Sequence, residues 1–358
     1  MLKKTYLHVF KIAITVFTLM IMASGAMFAA EYDLVLSSYS IGDTRISGSA
    51  AAFEYFKEMV ETRTDGAINV RTFYDSALGG VPEVTRQTRE GKTVQSSVSY
   101  AGVFSGFFPK YQIMNTPFLF DNYRSAWDFF DSEYFEGFKE EARKETGLKI
   151  LGIFDDGGGF VAFTNDKWLI KNPEDMEDLI IRVEEGNAAQ VTMVESLGAK
   201  SVSLPWGDVT TALASGVADG QFNAPYVNSF SKFWEVNDYS SWIQFTFNSA
   251  IWSISDNWFE QLPEEYQVAI MDTAKEAMII SRGVNTQQCM LAWEEAQDNF
   301  KDTYLATPEV KEQWKAALRT PFHKWIIEDF GLSEEFVDEF WNAASEVSEQ
   351  TSYKAKIK

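Results

Sequence analysis

Apolar residues recur along this chain at two different periods, and the alternation between those periods predicts its architecture. The run over residues 33–38, Asp-Leu-Val-Leu-Ser-Ser, reads as a short strand. Residues 48–62 then carry Phe53, Phe56, Met59 and Val60 at helical spacing, and Thr64-Asp65-Gly66 ends that helix. Residues 68–73 alternate as a second strand, and Leu78-Gly79-Gly80 turns. Pro82 suits the first turn of a helix that reaches Gly91, because a first-turn N–H has no helical partner to lose. This strand, helix, strand, helix series favours a parallel α/β sheet with ligand groups on loops at the carboxyl ends of its strands.

Pro117-Phe118-Leu119-Phe120 gives an apolar turn, and residues 125–146 read as one charged amphipathic helix. Residues 148–154 form an apolar strand that ends in Asp155-Asp156-Gly157-Gly158-Gly159, where three glycines suggest a hinge or a close backbone approach. A second series follows: a strand over 161–164, a helix start at Asn172-Pro173-Glu174-Asp175, a strand over 179–183, a helix over 188–197, a strand into Leu204-Pro205 and a short helix over 208–215. Two similar α/β lobes that cross near 154–160 and again near 245 describe a two-lobed clamshell closing by hinge motion. Pro263-Glu264-Glu265 opens a helix whose pattern persists towards Asn299. At 1.5 Å per residue, roughly 35 residues would span about 50 Å, enough to brace both lobes. Apolar heptad positions are not sustained along it, which argues against a coiled coil. Leu332-Ser333-Glu334-Glu335 starts a last amphipathic helix. The expected division is a signal segment over 1–30, lobe I over 31–156 plus about 246–285, lobe II over 157–245 plus about 286–345, and a tail over 346–358.

The ends and the charge narrow the function. Met1-Leu2-Lys3-Lys4, Lys11 and an uncharged run over 12–30 form a secretory signal pattern, with cleavage near Ala29 or Ala30 and an alternative cut at Ser24-Gly25-Ala26. An uncleaved anchor is the competing reading, since that run approaches the roughly 20 residues that span a bilayer. Removing Lys3, Lys4 and Lys11 from the 31 basic residues leaves 28 against 52 acids, a net charge of -24, which disfavours a polyanionic partner such as nucleic acid. It does not disfavour a small anion, because one well-placed Arg decides a pocket locally. Cys289 is the sole cysteine, so there is no disulfide framework, and His323 is the sole histidine once His8 leaves, which makes a His-rich zinc site or a His-based triad improbable. About 328 mature residues exceed what one core usually supports.

Ligand-grasping groups concentrate between residues 179 and 230, where groups for acid-base or nucleophilic work are scarce. Arg182 ends the buried-type strand Leu179-Ile180-Ile181-Arg182-Val183, and its planar fork can hold a carboxylate through two parallel hydrogen bonds. The competing reading is an internal ion pair with Glu184, Glu185 or another acid. Trp206, at a strand exit after Pro205, offers a flat wall or plain core packing. Asn223, in Gln221-Phe222-Asn223-Ala224-Pro225, offers an amide or a turn before the proline. The glycine run lacks a phosphate-loop context, Asp155 and Asp156 are solvated turn acids or cation ligands, and the aromatics at 107–108 and 117–120 read as lobe core.

Leu78-Gly79-Gly80, Pro117 to Phe120, Asn172-Pro173-Glu174-Asp175-Met176, Ile181-Arg182-Val183, Leu197-Gly198-Ala199 and Ala212-Leu213 through Asn223 together resemble the solute-binding proteins of tripartite ATP-independent periplasmic (TRAP) transporters, nearest the dicarboxylate-binding branch. The resemblance covers nearly the whole mature chain. It implies a periplasmic binder, not an enzyme, that delivers a small organic acid to a small-plus-large membrane subunit pair driven by a sodium gradient; no cofactor and no metal ligands are expected. It places Arg182 on the carboxylate-clamping arginine, Asn223 on the asparagine of the Asp-Gly-Gln-Glu-Asn-Pro pattern, and Trp206 where members often set an aromatic ring. Phe160 stands where many members carry a second basic residue, Tyr100 and Val103 fall near positions charged in the sialic-acid branch, Phe222 replaces the pattern's Glu, and Ala224 intervenes before Pro225. One Arg among several rings implies a monocarboxylate with an apolar or aromatic body. The expected ligand set is Arg182, Asn223, Trp206, Phe160, Tyr100 and Tyr226. The alternatives are an exported enzyme working through Asp155, Asp156 or Asp219, and a receptor that feeds a membrane sensor.

Overall fold

The computed structural model describes residues 30–351. The expected signal segment up to residue 29 and the tail from Ser352 lie outside the described residues. Two sheets organise the rest. The first holds β1 (Tyr32–Ser37), β2 (Ile68–Phe73), β3 (Ser96–Tyr100), β4 (Leu148–Phe160) and β10 (Phe247–Ser255) in the order β2-β1-β3-β10-β4. The second holds β5 (Ala162–Asn165), β6 (Ile180–Glu184), β7 (Lys200–Leu204), β8 (Gly220–Asn223), β9 (Tyr239–Trp242) and β11 (Asp302–Leu305) in the order β11-β9-β5-β8-β6-β7.

The β1, β2 and β3 strands pair in parallel, as a strand and helix series requires, but β10 runs antiparallel between β3 and β4, so the sheet is mixed and not purely parallel. The second sheet is mixed as well, with β5 antiparallel to both β8 and β9. The reason is long-range. After the second lobe is built, the chain returns through β10 into the first sheet, and no local period announces that return.

Helix α1 (Gly48–Arg63) starts where the Ser47 side chain accepts from the Ala50 N–H, and it buries Phe53 and Phe56 against Trp252 of β10 at centroid distances of 5.0 and 4.8 Å. Helix α2 (Val81–Glu90) carries Pro82 in its first turn and ends at the left-handed Gly91. The single helix expected over 125–146 is two: α3 (Tyr123–Phe130), capped by Asn122 and Ser125, and α4 (Glu133–Thr146), capped by Ser132. One good cap inside the amphipathic run, Ser132 accepting from the Phe135 N–H, starts a new helix there. The expected helix start at Asn172 is a single 3-10 turn over Pro173–Met176.

Helix α8 (Glu264–Asn299) extends 36 residues and packs on α1 and β4 through a face of small residues that includes Ala274, Ala277 and Ser281. It is fastened to the hinge by Asn285, whose Nδ2 donates to the Asp155 carbonyl at 2.9 Å while its Oδ1 accepts from the Gly48 N–H at 3.2 Å. The last helix, α10 (Glu334–Thr351), docks Phe340 on Phe129 and Phe138 at 5.2 and 5.3 Å, so a chain end read as belonging to lobe II packs on α3 and α4. Helix continues through residues 346–351, which were expected to begin the tail. No described helix is long and apolar enough to cross a membrane.

Candidate functional site

Between the two sheets lies a cleft of about 310 Å³, floored by β4 and β10. That volume is at the small end of the range usual for pockets that take one small molecule. Its walls come from the ends of β3, β6, β7 and β8, where an α/β sheet of this kind presents its loops.

Arg182 is the central group. It sits in β6 between β7 and β8, opposite Val202 and Gln221, and it is only 6% exposed. Its Nε and Nη2 both donate to the Leu204 carbonyl, at 3.1 and 2.8 Å, and its Cζ lies 5.9 Å from the Trp206 ring centroid. Burial lowers its affinity for its proton and the nearby Glu184 works against that, but a guanidinium remains charged at any physiological pH. The carbonyl occupies one edge of the fork, which leaves Nη1 and the second Nη2 hydrogen for a ligand.

Asn223, at the end of β8, is held by a buried relay of amides. Its Nδ2 donates to Gln221 Oε1 at 2.6 Å, and Gln221 Nε2 in turn donates to Thr164 Oγ1 and Asn228 Oδ1, each at 2.9 Å. That orientation leaves the Asn223 amide oxygen for the cleft. Trp206 is 50% exposed and rests its ring edge on Phe233 at 6.1 Å. Across the opening, Tyr226 tilts against Phe230, itself 51% exposed. The Tyr226 hydroxyl is buried without a hydrogen-bond partner, and burial pushes its pKa up to about 12, so it is a neutral donor aimed at the cleft. Tyr100, at the end of β3, meets Tyr39 edge-on at 5.8 Å; burial first and then Glu184 and Glu185 push it up to about 12.

Of the six residues expected to touch a ligand, the structure brings Tyr100, Arg182, Trp206, Asn223 and Tyr226 to the cleft wall. Phe160 is elsewhere. It is 5% exposed and packs edge-on against Tyr123 and Phe247, both at 5.1 Å, in an aromatic cluster beneath the hinge. The physical reason is the glycine run: positive φ at Gly157, Gly158 and Gly159 breaks the side-chain alternation of β4, so Phe160, expected at the ligand from the family resemblance, turns inward.

Sequence reasoning missed Tyr39, Asn115, Asn248 and Asn285 on the wall, since each is brought there by tertiary packing. It placed Asp155 on a turn, whereas Asp155 lies in β4 at the cleft floor, 1% exposed, with Trp127 Nε1 donating to both its oxygens at 2.9 and 3.0 Å. Burial pushes this carboxyl up to about 7, with Trp127 and Arg282 pulling it back in part. A carboxyl that holds its proton more tightly when folded than near its unfolded value of about 3.9 favours folding at acid pH, and that contribution is lost as pH rises towards about 7. Asp155→Asn is therefore expected to gain stability relative to the parent as pH goes from 4.5 to 8, by about 3 kcal/mol. Denaturant unfolding of both proteins at the two pH values checks it; a difference that is constant with pH contradicts it. Among the described residues, no group of three or more His, Cys, Asp or Glu could hold a metal ion.

The family model for bacterial extracellular solute-binding protein, family 7 (DctP), matches residues 38–329. The 2,3-diketo-L-gulonate-binding periplasmic protein YiaO of Escherichia coli is 27% identical over 226 residues, 63% of this chain and 67% of that protein. The ectoine/5-hydroxyectoine-binding periplasmic protein UehA of Ruegeria pomeroyi is 27% identical over 257 residues, 70% of this chain and 72% of that protein. A solved TRAP periplasmic solute binding protein from Ochrobactrum anthropi superposes with a TM-score of 0.82 at 25% identity, covering 92% of this chain and 99% of that one.

Proposed function

We propose, from the premise that this chain belongs to the bacterial extracellular solute-binding protein family 7, the TRAP solute-binding proteins, that its cleft captures a monocarboxylate with an apolar or aromatic body and hands it to TRAP membrane subunits. The observation that carries this reading is Arg182: a buried guanidinium with one edge spent on a backbone carbonyl and the other edge open to the cleft. A buried cation of that kind is costly unless an anion completes it. Asn223 and Tyr226 add neutral polar contacts, and Trp206, Tyr100 and Phe230 supply the apolar walls. Phe160, packed beneath the hinge, is assigned no contact.

The lobes of this reading are residues 31–156 with about 246–285 and residues 157–245 with about 286–345, the last helix packing back on lobe I, and they close about the crossings near 154–160 and near 245. Export to the periplasm with removal of residues 1–30 belongs to the same proposal. The named ligands of relatives include 2,3-diketo-L-gulonate and ectoine, so the family tolerates different bodies behind a small acid. Among the described residues one basic residue, Arg182, lines the cleft, which favours a single carboxylate over two.

The test is a thermal-shift screen of the mature protein, unfolded and refolded to strip any carried ligand, against aryl, indolyl, branched-chain, dicarboxylic and sugar acids. A ligand at 100 times its Kd should add about 2.7 kcal/mol. Stabilisation by aryl or branched monocarboxylates supports the proposal. Tight saturable binding of succinate or a sialic acid, with no response to the others, removes the monocarboxylate assignment.

A further inference from the structure

Behind the cleft wall beside Arg182 runs a chain of neutral polar side chains: Thr164, Gln221, Asn228 and Asn237 are all buried. Burying so many amides is costly unless each donor meets an acceptor, so every amide has to be turned one way. The direction of each follows from its neighbours, because a backbone carbonyl accepts and never donates.

The chain is anchored at two ends. Asn237 turns its Nδ2 to the Asp219 and Val236 carbonyls at 3.3 and 3.0 Å, so its Oδ1 is an acceptor, and the Thr164 hydroxyl donates to it at 2.8 Å. Asn228, on α7 (Pro225–Phe230), turns its Nδ2 to the Ala162 and Asn223 carbonyls at 3.2 and 3.3 Å, so its Oδ1 is an acceptor as well. With its one proton spent on Asn237, the Thr164 oxygen can only accept. Gln221 Nε2 reaches both of these acceptors at 2.9 Å, and both of its hydrogens are used. Gln221 Oε1 is therefore turned to Asn223, and the Asn223 amide meets it with Nδ2 at 2.6 Å. A flipped Asn223 would set two amide oxygens against each other. The cleft thus receives the Asn223 oxygen, an acceptor whose direction is fixed by residues that do not line the cleft.

This acceptor stands close to the anchor for the carboxylate. Gln221 is opposite Arg182 in the pairing of β8 with β6, and Asn223 follows two residues on, so Arg182 and Asn223 leave one face of the sheet with Cα atoms about 8 Å apart. A carboxylate held by Arg182 brings only acceptors, so the donor for Asn223 has to come from the neighbouring part of the ligand.

We propose that Gln221 is the positioning residue that sets what this cleft selects: by holding Asn223 oxygen-first, it favours acids that carry a hydroxyl on the α or β carbon and rejects the matching oxo acids. This rests on the carboxylate-capture reading above and narrows it. A hydroxyl supplies one proton and Asn223 offers one neutral oxygen, whereas an oxo group would set acceptor against acceptor where water is excluded. An ammonium carries three donors and a charge, which one neutral oxygen does not meet. A site built to bond a ligand hydroxyl discriminates well, because the wrong ligand leaves the site's own polar group unpaired.

The test is calorimetric titration of the ligand-stripped mature protein with matched acids: 2-hydroxy-3-phenylpropanoate, 3-hydroxy-3-phenylpropanoate, phenylpyruvate, 3-phenylpropanoate and phenylalanine, and the corresponding 4-methylpentanoate series. A 2- or 3-hydroxy acid is expected to bind tenfold or more tightly than its oxo and unsubstituted partners, and more tightly than the amino acid. Gln221→Met removes the acceptor that holds Asn223 and lets the amide turn, so the preference for hydroxy over oxo is expected to fall to about threefold or less. Gln221→Glu, whose carboxyl still accepts from Asn223, is expected to keep it. If Gln221→Met lowers all affinities together and leaves the ratio unchanged, Gln221 is merely structural and the positioning assignment is overturned. A melting curve shows whether each variant is folded, and the parent series decides without them: an oxo, unsubstituted or amino acid that binds as well as its hydroxy partner, or no binding by any hydroxy acid, overturns the proposal, while binding of any of the other acids leaves carboxylate capture standing. If no carboxylate of any class binds, both readings fall.

Discussion

Arg182→Ala is expected to weaken binding of the captured acid by tens to hundreds of fold or more, with little change in melting temperature of the ligand-free protein. The magnitude follows from the fork. Hydrogen bonds to charged groups contribute roughly 1.5 to 3 kcal/mol each net, and the open edge of Arg182 offers two of them to a carboxylate. Each 1.4 kcal/mol is a factor of ten in Kd. Arg182→Lys should rescue little, because an ammonium is a point charge that cannot both hold the Leu204 carbonyl with two donors and present a flat pair to the ligand. Calorimetry on the three proteins checks this, and an unchanged Kd in the alanine variant would end the assignment of Arg182 as the anchor.

The second large effect is expected at the hinge. Gly158 has φ of +107°, a conformation that L side chains rarely adopt, and a Cβ built there would lie 1.9 Å from Cys289 Sγ. Gly158→Ala therefore combines backbone strain of roughly 1–3 kcal/mol with overpacking of similar size. The crowding falls on the joint between β4 and the long helix α8, so affinity as well as stability should drop. Adding Cys289→Ala separates the two causes. The Cys289 Cβ is 3.7 Å from the new methyl, an ordinary contact, so the double variant should recover the steric part and keep the strain. Denaturant unfolding measures both; a Gly158→Ala protein as stable as the parent would show that the hinge backbone is not held where the structure puts it.

Much of this fold was legible because its signals are local. The helix over Glu264–Asn299, the strand over Ile68–Phe73 and the proline-opened helix over Val81–Glu90 each announce themselves by period and cap. Strand β10 did not, since a buried strand flanked on both sides is chosen by its neighbours, and Ser96–Tyr100 was passed over for the same reason: its Ser-Ser-Val-Ser-Tyr pattern is too polar to read as central, yet its serines are buried. The site divides along the same line. Arg182 could be found because a lone cation in an apolar strand is conspicuous. Asn285 could not, because nothing near it in the sequence marks it as a residue of a long helix that reaches the hinge. Phe160 was expected at the ligand from the family resemblance alone, and the three positive-φ glycines before it turn its side chain into the core. The single break in 125–146 shows the converse, where the cap residue Ser132 stands in the sequence and is masked by the amphipathic pattern around it.

The central claim is that this cleft recognises a carboxylate through Arg182, and it is tested most directly by titrating the ligand-stripped protein with the most stabilising acid from the screen and with the primary amide of that same acid. The two differ by one charge and almost nothing in shape. The account predicts that the acid binds at least tenfold more tightly than the amide and that Arg182→Ala abolishes the difference. Equal affinity for acid and amide, unchanged by Arg182→Ala, would contradict it.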